Sequence, residues 1–280
     1  MIESPNVRMA LSSRPENVAL VREVLAGLAD AVDLGGTLED VKAAVSEAAN
    51  NVVMHAYGGH EGPMEVEIRL LHRRLDVIVR DRGIGIGPRA VVDDDVARRA
   101  IGLAVMEALA ARVELRAHSA PGVEVLMSFD VPLQPELPGL SEPDRGDSGE
   151  DGVLTIAIAP PELSDVIFNR VVSAVAVRAG FSLDRLSDAQ LVADALAAHA
   201  TPMLDGGHVR LGLVVLDHAI EVAVGPLRAG GSATVVANSA IGDLGPVIER
   251  LSDEVDTRQD EAGEVLTLVM RDRRRARTPA

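Results

Sequence analysis

Polar side chains at helical spacing mark the segment of the sequence best suited to chemistry. Glu47, Asn51 and His55 stand four residues apart, so in a helix they share one face. The carboxamide oxygen of Asn51 is a hard ligand suited to Mg²⁺, an ion that binds phosphate oxygens at the same time. The carboxylate of Glu47, one turn away, can orient or deprotonate an attacking hydroxyl. The alternative for this segment alone is a solvated polar stripe on an amphipathic helix.

Two glycine-containing turns further along the chain are suited to a nucleotide. Asp81 follows a strand-like run and is followed by Gly83 and Gly85, which let the backbone approach a ligand closely. An aspartate in that place can accept a hydrogen bond from an exocyclic amine, such as that of adenine. Gly102 and Leu103 are predicted at a helix start, where free backbone N–H groups attract phosphate. Taken singly, the first motif could be a tight turn and the second an ordinary glycine before a helix.

Hydrophobic patterning predicts an α+β scaffold for these residues in the first half of the chain. The predicted elements are a strand over 7–11, helices over 13–32 and 38–55, strands over 64–71 and 75–80, a helix over 101–111, and strands over 113–117 and 124–131. We expect a two-layer sandwich in which helices cover one face of a mixed or antiparallel sheet.

The order of elements then repeats after a segment rich in Pro, Gly, Ser and acidic residues. That segment, 134–152, predicts a flexible acidic linker between domains 1–133 and 153–280. The second half is predicted to hold a strand over 154–159, helices ending near 180 and over 187–199, a hairpin over 209–216 and 219–224, and a helix over 245–251. We interpret this as a tandem duplication of one unit, the alternative being two unrelated α+β domains.

Composition excludes several classes of function. The formal net charge of −16 disfavours direct binding to nucleic acid and suits a basic protein partner. The absence of cysteine excludes disulfides, thiolate chemistry and cysteine-based zinc sites. No apolar run is long enough to cross a bilayer and the N-terminus lacks the pattern of a signal peptide, so we expect a cytoplasmic protein without a membrane contact.

The three motifs, in this order, resemble the ATP-binding fold shared by gyrase, histidine kinases and MutL (the GHKL superfamily). Within it, the run Glu-Ala-x-x-Asn-x-x-x-His-Ala-Tyr that begins at Glu47 is most similar to the serine/threonine kinases that act as anti-sigma factors. Ser12 to Glu16, with Val21 and Arg22, strengthens this resemblance, which covers nearly all of 7–133. It implies a Bergerat-type fold, with ATP and Mg²⁺ as cofactors.

The resemblance also implies a role for each candidate site residue. These roles are catalytic base for Glu47, Mg²⁺ ligand and nucleotide contact for Asn51, adenine acceptor for Asp81, shaping of the pocket for Gly83 and Gly85, and phosphate binding in the lid for Gly102 and Leu103. The sequence departs from the family at Ala100, where a lid glycine is expected, and at Val123, where threonine is favoured.

The second half lacks counterparts of these side chains. Aligning His199 with His55 puts Leu191 in the place of Glu47 and Ala195 in the place of Asn51. The same alignment puts Pro226 opposite Asp81 and Arg228 opposite Gly83. We therefore expect a degenerate domain that keeps the fold without nucleotide chemistry and forms an intramolecular pseudo-dimer with the first. The alternative is an independent protein-binding domain on a linker.

The function that the resemblance implies is that of an ATP-binding anti-sigma regulator. Such a protein binds a sigma factor and is expected to phosphorylate a serine or threonine of an anti-anti-sigma (STAS-type) protein. The alternative is a non-catalytic, ATP-sensing module that binds a protein partner. A third interpretation, a histidine kinase fragment, would require a helical phosphoacceptor segment ahead of the domain.

Overall fold

The chain divides into two units in the computed structural model, Met1–Gly152 and Val153–Ala280. The structure describes residues 6–83, 93–117, 122–135, 137–140, 153–242 and 245–273, and for 93–100 and 117 the backbone alone. Each unit has its own strands and its own helices.

The described part of the first unit holds a five-stranded sheet and three α-helices. Its elements are β1 (Val7–Ser12), α1 (Pro15–Ala31), α2 (Leu38–Asn51), a π-helical segment (Val52–Ala56), β2 (Pro63–Leu71), β3 (Arg74–Asp81), α3 (Asp93–Leu109), β4 (Arg112–Ala117) and β5 (Val123–Asp130). The strands lie in the order β4-β5-β3-β2-β1, and each neighbouring pair is antiparallel. The α+β class is thereby confirmed, and within this unit the sheet is antiparallel throughout.

The two faces of this sheet differ in chemistry, which explains why the helices lie on one of them. Met9, Val66, Val79 and Val125 align across four strands and are buried. Fully burying an aliphatic side chain of this kind contributes about 1.5–3 kcal/mol. On the opposite face, residues of the four strands β2, β3, β5 and β4 form a charge ladder: Glu65, Arg80, Glu124 and Arg116.

Helix α2 ends earlier than its polar spacing predicted. The α-helix stops at Asn51, and the chain continues as a π-helical segment to Ala56. The β-branched pair Val52 and Val53, which disfavours the α conformation, lies where the winding changes. Glu47 and Asn51 keep their one-turn relationship, whereas His55 lies beyond the change in winding. Short π-helical segments are frequent at functional sites.

Helix α3 begins about two turns before the predicted start. It runs from Asp93 to Leu109, so Gly102 and Leu103 lie inside it rather than at its N-terminus. Residues 97–100, shortly before Gly102, are all Ala or Arg, which are strong helix formers, and acidic residues open the first turn. A single glycine is tolerated within such a helix, which is why the prediction of a boundary there was wrong.

The first part of the predicted linker is bound to the first unit. Gln134 is buried, its backbone N–H donates to the carbonyl of His72, and its side chain donates to the carbonyls of Asp33 and Pro132. The side chain of Asn6 donates to the carbonyl of Pro138. The packed chain of the first unit therefore continues past 133, and residues 141–152 lie outside the described part.

The second unit has the same number of strands. Its elements are β6 (Leu154–Ile158), α4 (Ser164–Arg178), α5 (Leu183–Ala200), β7 (Val209–Leu216), β8 (Ala219–Leu227), α6 (Gly231–Asn238), α7 (Val247–Leu251), β9 (Glu254–Gln259) and β10 (Glu264–Arg271), with 3₁₀ turns at Pro161–Leu163 and Thr201–Met203. The strands lie in the order β9-β10-β8-β7-β6, again antiparallel. This is the order of the first unit, strand for strand. Helix α6 was not predicted, because its opening glycines indicated a loop.

Candidate functional site

The candidate base and the candidate metal ligand lie together where α3 crosses α2. Glu47 and Asn51 are both half-buried on α2. A Cβ atom added to Gly102 would lie 2.6 Å from Oε1 of Glu47 and 3.2 Å from Nδ2 of Asn51. Helix α3 therefore meets this pair at a residue without a side chain. The structure brings together three of the residues that the sequence singled out.

The place of Gly102 differs from the expectation in one respect. A residue in the interior of an α-helix uses its backbone N–H for the bond within the helix. Gly102 and Leu103 are interior residues of α3, so their N–H groups are not free in this conformation. Binding of phosphate by these groups stays a prediction, and it requires a change in the helix ahead of them. Gly85 lies outside the described residues, and Ala100 belongs to the part of α3 described by its backbone alone.

Asp81 ends β3 and is held by the backbone around it. Its side chain is buried, and Oδ1 accepts hydrogen bonds from the N–H of Gly83 at 2.8 Å and of Val123 at 3.3 Å. Burial raises the pKa of this carboxyl, while the two N–H donors act in the opposite direction. Among the described residues, Oδ2 accepts no hydrogen bond. This leaves an acceptor at the place where the sequence predicted an adenine contact.

Two glycines allow the chain to close around Asp81. A Cβ atom on Gly83 would overlap the carbonyl oxygen of Ala56, at the end of the π-helical segment. Gly122 has φ +153°, and a Cβ atom there would overlap the carbonyl oxygen of Asp81. Gly83 permits a close approach of backbone to backbone here, and its part in shaping a nucleotide pocket stays a prediction. The role of Gly122 follows from its contact with β3, a strand distant in sequence.

Tyr57 was part of the quoted motif, but its contacts were not predicted. Its hydroxyl donates to the carbonyl of Pro63 and accepts from the N–H of Arg82 at 2.8 Å. A Cβ atom on Gly62 would lie against the Tyr57 ring. Burial raises the pKa of the Tyr57 phenol. Tyr57 thus ties the end of the π-helical segment to the turn that carries Asp81, and its place directly after His55 and Ala56 was the available signal.

In the second unit a different type of residue stands at the position that corresponds to Asp81. A Cβ atom on Gly263, which has φ +150°, would lie 2.6 Å from the carbonyl oxygen of Leu227, the last residue of β8. Gly122 makes the same approach to Asp81 at the end of β3. The structural counterpart of Asp81 is therefore Leu227, which is fully buried, and not Pro226. Leu227 offers no side-chain acceptor, and neither does Pro226, the residue that the sequence alignment placed there.

Comparison with known proteins identifies the family of the first unit. The family of histidine kinase-like ATPase domains matches residues 11–129. The serine-protein kinase RsbW of Bacillus pumilus is 36% identical over 137 residues, which span 44% of this chain and 83% of the relative. The serine-protein kinase RsbW of Bacillus subtilis is 34% identical over the same length, with the same coverage. This chain belongs to the anti-sigma factor serine/threonine kinase family. In this member, the first unit is a kinase-type ATPase domain, and the family match ends at residue 129.

Two further observations complete the comparison. A crystal structure of TP0453 aligns with 96% of this chain, but at 8% identity and a TM-score of 0.33 it carries no argument about fold or function. None of the helices in the described part of this family member combines the length and the apolarity needed to cross a membrane.

Proposed function

We propose that this protein is an ATP-dependent anti-sigma regulator, which binds a sigma factor and phosphorylates a serine or threonine of a STAS-type anti-anti-sigma protein. Membership of a family of serine-protein kinases supports this proposal. The observation that carries it is the pairing of Glu47 and Asn51 one turn apart, half-buried, against the side-chain-free position Gly102. A solvated polar stripe would not have a second helix packed directly on it.

Each side chain then has a distinct task. Asn51 would hold Mg²⁺ through its carboxamide oxygen, a ligand type that fits this ion, and bound Mg²⁺ would neutralise charge on the phosphates of ATP. Asp81 would accept the exocyclic amine of adenine through Oδ2, while Oδ1 stays bonded to Gly83 and Val123. The turn that Tyr57 holds would fix the direction of that carboxylate.

Glu47 would act on the protein substrate. Its carboxylate orients the acceptor hydroxyl and takes up its proton. The hydroxyl oxygen forms a bond to the γ-phosphorus while the bond from phosphorus to the bridging oxygen breaks, and ADP departs with that oxygen. In phosphoryl transfer most of the catalysis is positioning and charge neutralisation, so the contact of α3 with Glu47 bears directly on rate.

The second unit is, in this proposal, a degenerate copy of the first. The shared strand order and the matched glycines Gly122 and Gly263 support duplication. Leu191, in the place of Glu47, is 47% exposed and cannot take up a proton. The net charge of −16 supports binding to a basic partner such as a sigma factor.

Transfer of labelled phosphate tests the kinase proposal. The full chain is incubated with ATP labelled at the γ-position, Mg²⁺ and a panel of small anti-anti-sigma proteins, with Asn51→Ala as the matched variant. Label on a serine or threonine of one of these proteins is expected with the parent chain and not with Asn51→Ala, which should also lose Mg²⁺-dependent binding of ATP. Equal transfer by Asn51→Ala would show that Asn51 is not the metal ligand.

The second candidate function is an ATP-sensing binder without kinase activity. The observation that favours it is the interior position of Gly102 in α3, where the backbone N–H is already used. In that case ATP binds in the first unit and changes the affinity for a protein partner, but no label is transferred. Partner binding measured with and without ATP, next to the transfer assay, separates the two functions.

A further inference from the structure

The starts of β5 and β10 correspond closely in the two units. Gly122 precedes β5 with φ +153°, and Gly263 precedes β10 with φ +150°. Each of these glycines lies against the carbonyl oxygen of the last residue of the strand paired with its own. The residues that follow them, Val123 and Glu264, therefore occupy equivalent places. An apolar side chain in the first unit corresponds to a carboxylate in the second.

The carboxylate of Glu264 is bonded to the beginning of α6. Oε1 accepts from the N–H of Gly230 at 2.6 Å, and Oε2 accepts from the N–H of Ser232 at 3.1 Å. Gly230 is the residue that caps α6, in the left-handed conformation with φ +75°, and Ser232 is in the first turn. Both oxygens of the Glu264 carboxylate thus accept hydrogen bonds from N–H groups at a helix N-terminus.

These N–H groups are the kind that bind a phosphate. Helix N-termini attract anions because their first N–H groups have no partner within the helix and carry partial positive charge. In the second unit Glu264 already supplies the anion. The two N–H donors lower the pKa of its carboxyl, so the group is negatively charged near neutral pH. A phosphate approaching α6 would meet engaged donors and a like charge.

We propose that Glu264 closes the second unit to phosphate, because its own carboxylate takes the place of a phosphate at the start of α6. The inference rests on the proposed duplication of a nucleotide-binding unit. Leu227 in the place of Asp81 removes the contact at the adenine end, and Glu264 closes the phosphate end. The second unit is then held closed by a residue of its own chain, and its state does not depend on ATP.

The experiment follows the amide signals of Gly230 and Ser232 in the full chain by NMR, with inorganic phosphate as the probe. In the parent protein these amides are expected to exchange slowly with solvent and not to shift with phosphate. In Glu264→Val, which carries the residue of the first unit at this place, they should exchange faster and shift in a saturable manner. The matched control is Glu261→Ala, which removes an exposed glutamate in the turn just before Glu264. This variant should behave like the parent.

Glu264→Gln keeps the test decisive if Glu264→Val disturbs the fold. Its carboxamide has the same size but no charge, so phosphate should displace it and shift the same amides. Saturable shifts in the parent protein, or no shift in any folded Glu264 variant, would overturn the inference. The signals report the second unit alone. Failure of ATP to bind the first unit would count against the proposed function and leave this result unchanged.

Discussion

Each of the two units has a sheet with the same strand order, and the units differ in the side chains at the candidate site. Both have five antiparallel strands in the same order, and in both a glycine with strongly positive φ lets the start of one strand approach the end of its neighbour. At the candidate site the first unit has Glu47, Asn51 and Asp81. In the second unit the sequence alignment puts Leu191 and Ala195 opposite the first two, and Leu227 lies at the position that corresponds to Asp81. The apolar pattern that forms the sheet is kept in both.

This difference shows that fold and chemistry depend on separate sets of residues. The sheet and its helices need alternating apolar positions, which contribute the burial energy. Glu47 and Asn51 are half-buried and add little to the core, and a sheet of the same strand order forms in the second unit with Leu191 and Ala195 at the aligned positions. A function assigned from fold alone would credit both units with ATP binding, whereas the family match and the candidate site residues lie in the first.

The largest expected effect is on catalysis by the first unit. Glu47→Gln should lower phosphate transfer by about 10²- to 10⁴-fold, the usual contribution of a general base, while ATP binding stays within about two-fold of the parent. Initial rates of transfer and calorimetric titration measure the two quantities. The counterpart change Leu191→Ala should leave both unaltered. A Glu47→Gln enzyme that transfers phosphate at the parental rate would remove Glu47 from the mechanism.

The next effect concerns nucleotide affinity. Asp81→Asn should weaken ATP binding by about 10- to 100-fold, because a hydrogen bond to a charged acceptor is lost. Asp130→Asn, an exposed position at the end of β5, makes the same change of charge and is the control. Titration of the parent should also give one ATP per chain. Binding of two ATP per chain would contradict the proposal that the first unit alone binds ATP.

A third effect is on the stability of the first unit. Gly83→Ala places a methyl group on the carbonyl of Ala56, and such overpacking costs about 1–3 kcal/mol. The free energy of unfolding in urea should fall accordingly in the transition assigned to the first unit. Gly207→Ala in the second unit has open space around its Cβ and should change little. An unchanged free energy of unfolding in Gly83→Ala would mean that the turn moves away from Ala56 without a loss of stability.

The smallest effect is optical. Tyr57 is the only tyrosine and there is no tryptophan, so absorbance of tyrosinate reports this residue alone. Its pKa is raised by burial, so ionisation should occur above about pH 10 in the folded chain and near 10 in urea. A raised pKa means that its contribution to stability is complete below about pH 10 and is lost as the pH rises through the folded value. Equal midpoints in the two conditions would contradict the burial of the phenol.

Strands were predictable from sequence, and the contacts that make the site were predictable only in part. Runs of apolar and β-branched residues placed β3 and β5 to within a residue of their observed bounds, because such runs favour a strand. Helix α6 was not predicted because its glycines favour a loop. The carboxylate that bonds its first N–H groups belongs to a strand distant in sequence. The predicted helix start at Gly102 was wrong because the residues ahead of it favour a helix, so the helix begins earlier.

Arg80 and Asp81 are adjacent residues on opposite faces of the same strand, and this links the charge ladder to the site. Arg80 bonds Glu124 across to β5, and Asp81 bonds the N–H of Val123, the residue before Glu124. A slip of one residue between β3 and β5 would turn Asp81 away from the helices and place Arg80 among apolar side chains. The ladder therefore fixes the register of β3 against β5, and a substitution on that face would also change the direction of the Asp81 carboxylate on the opposite face.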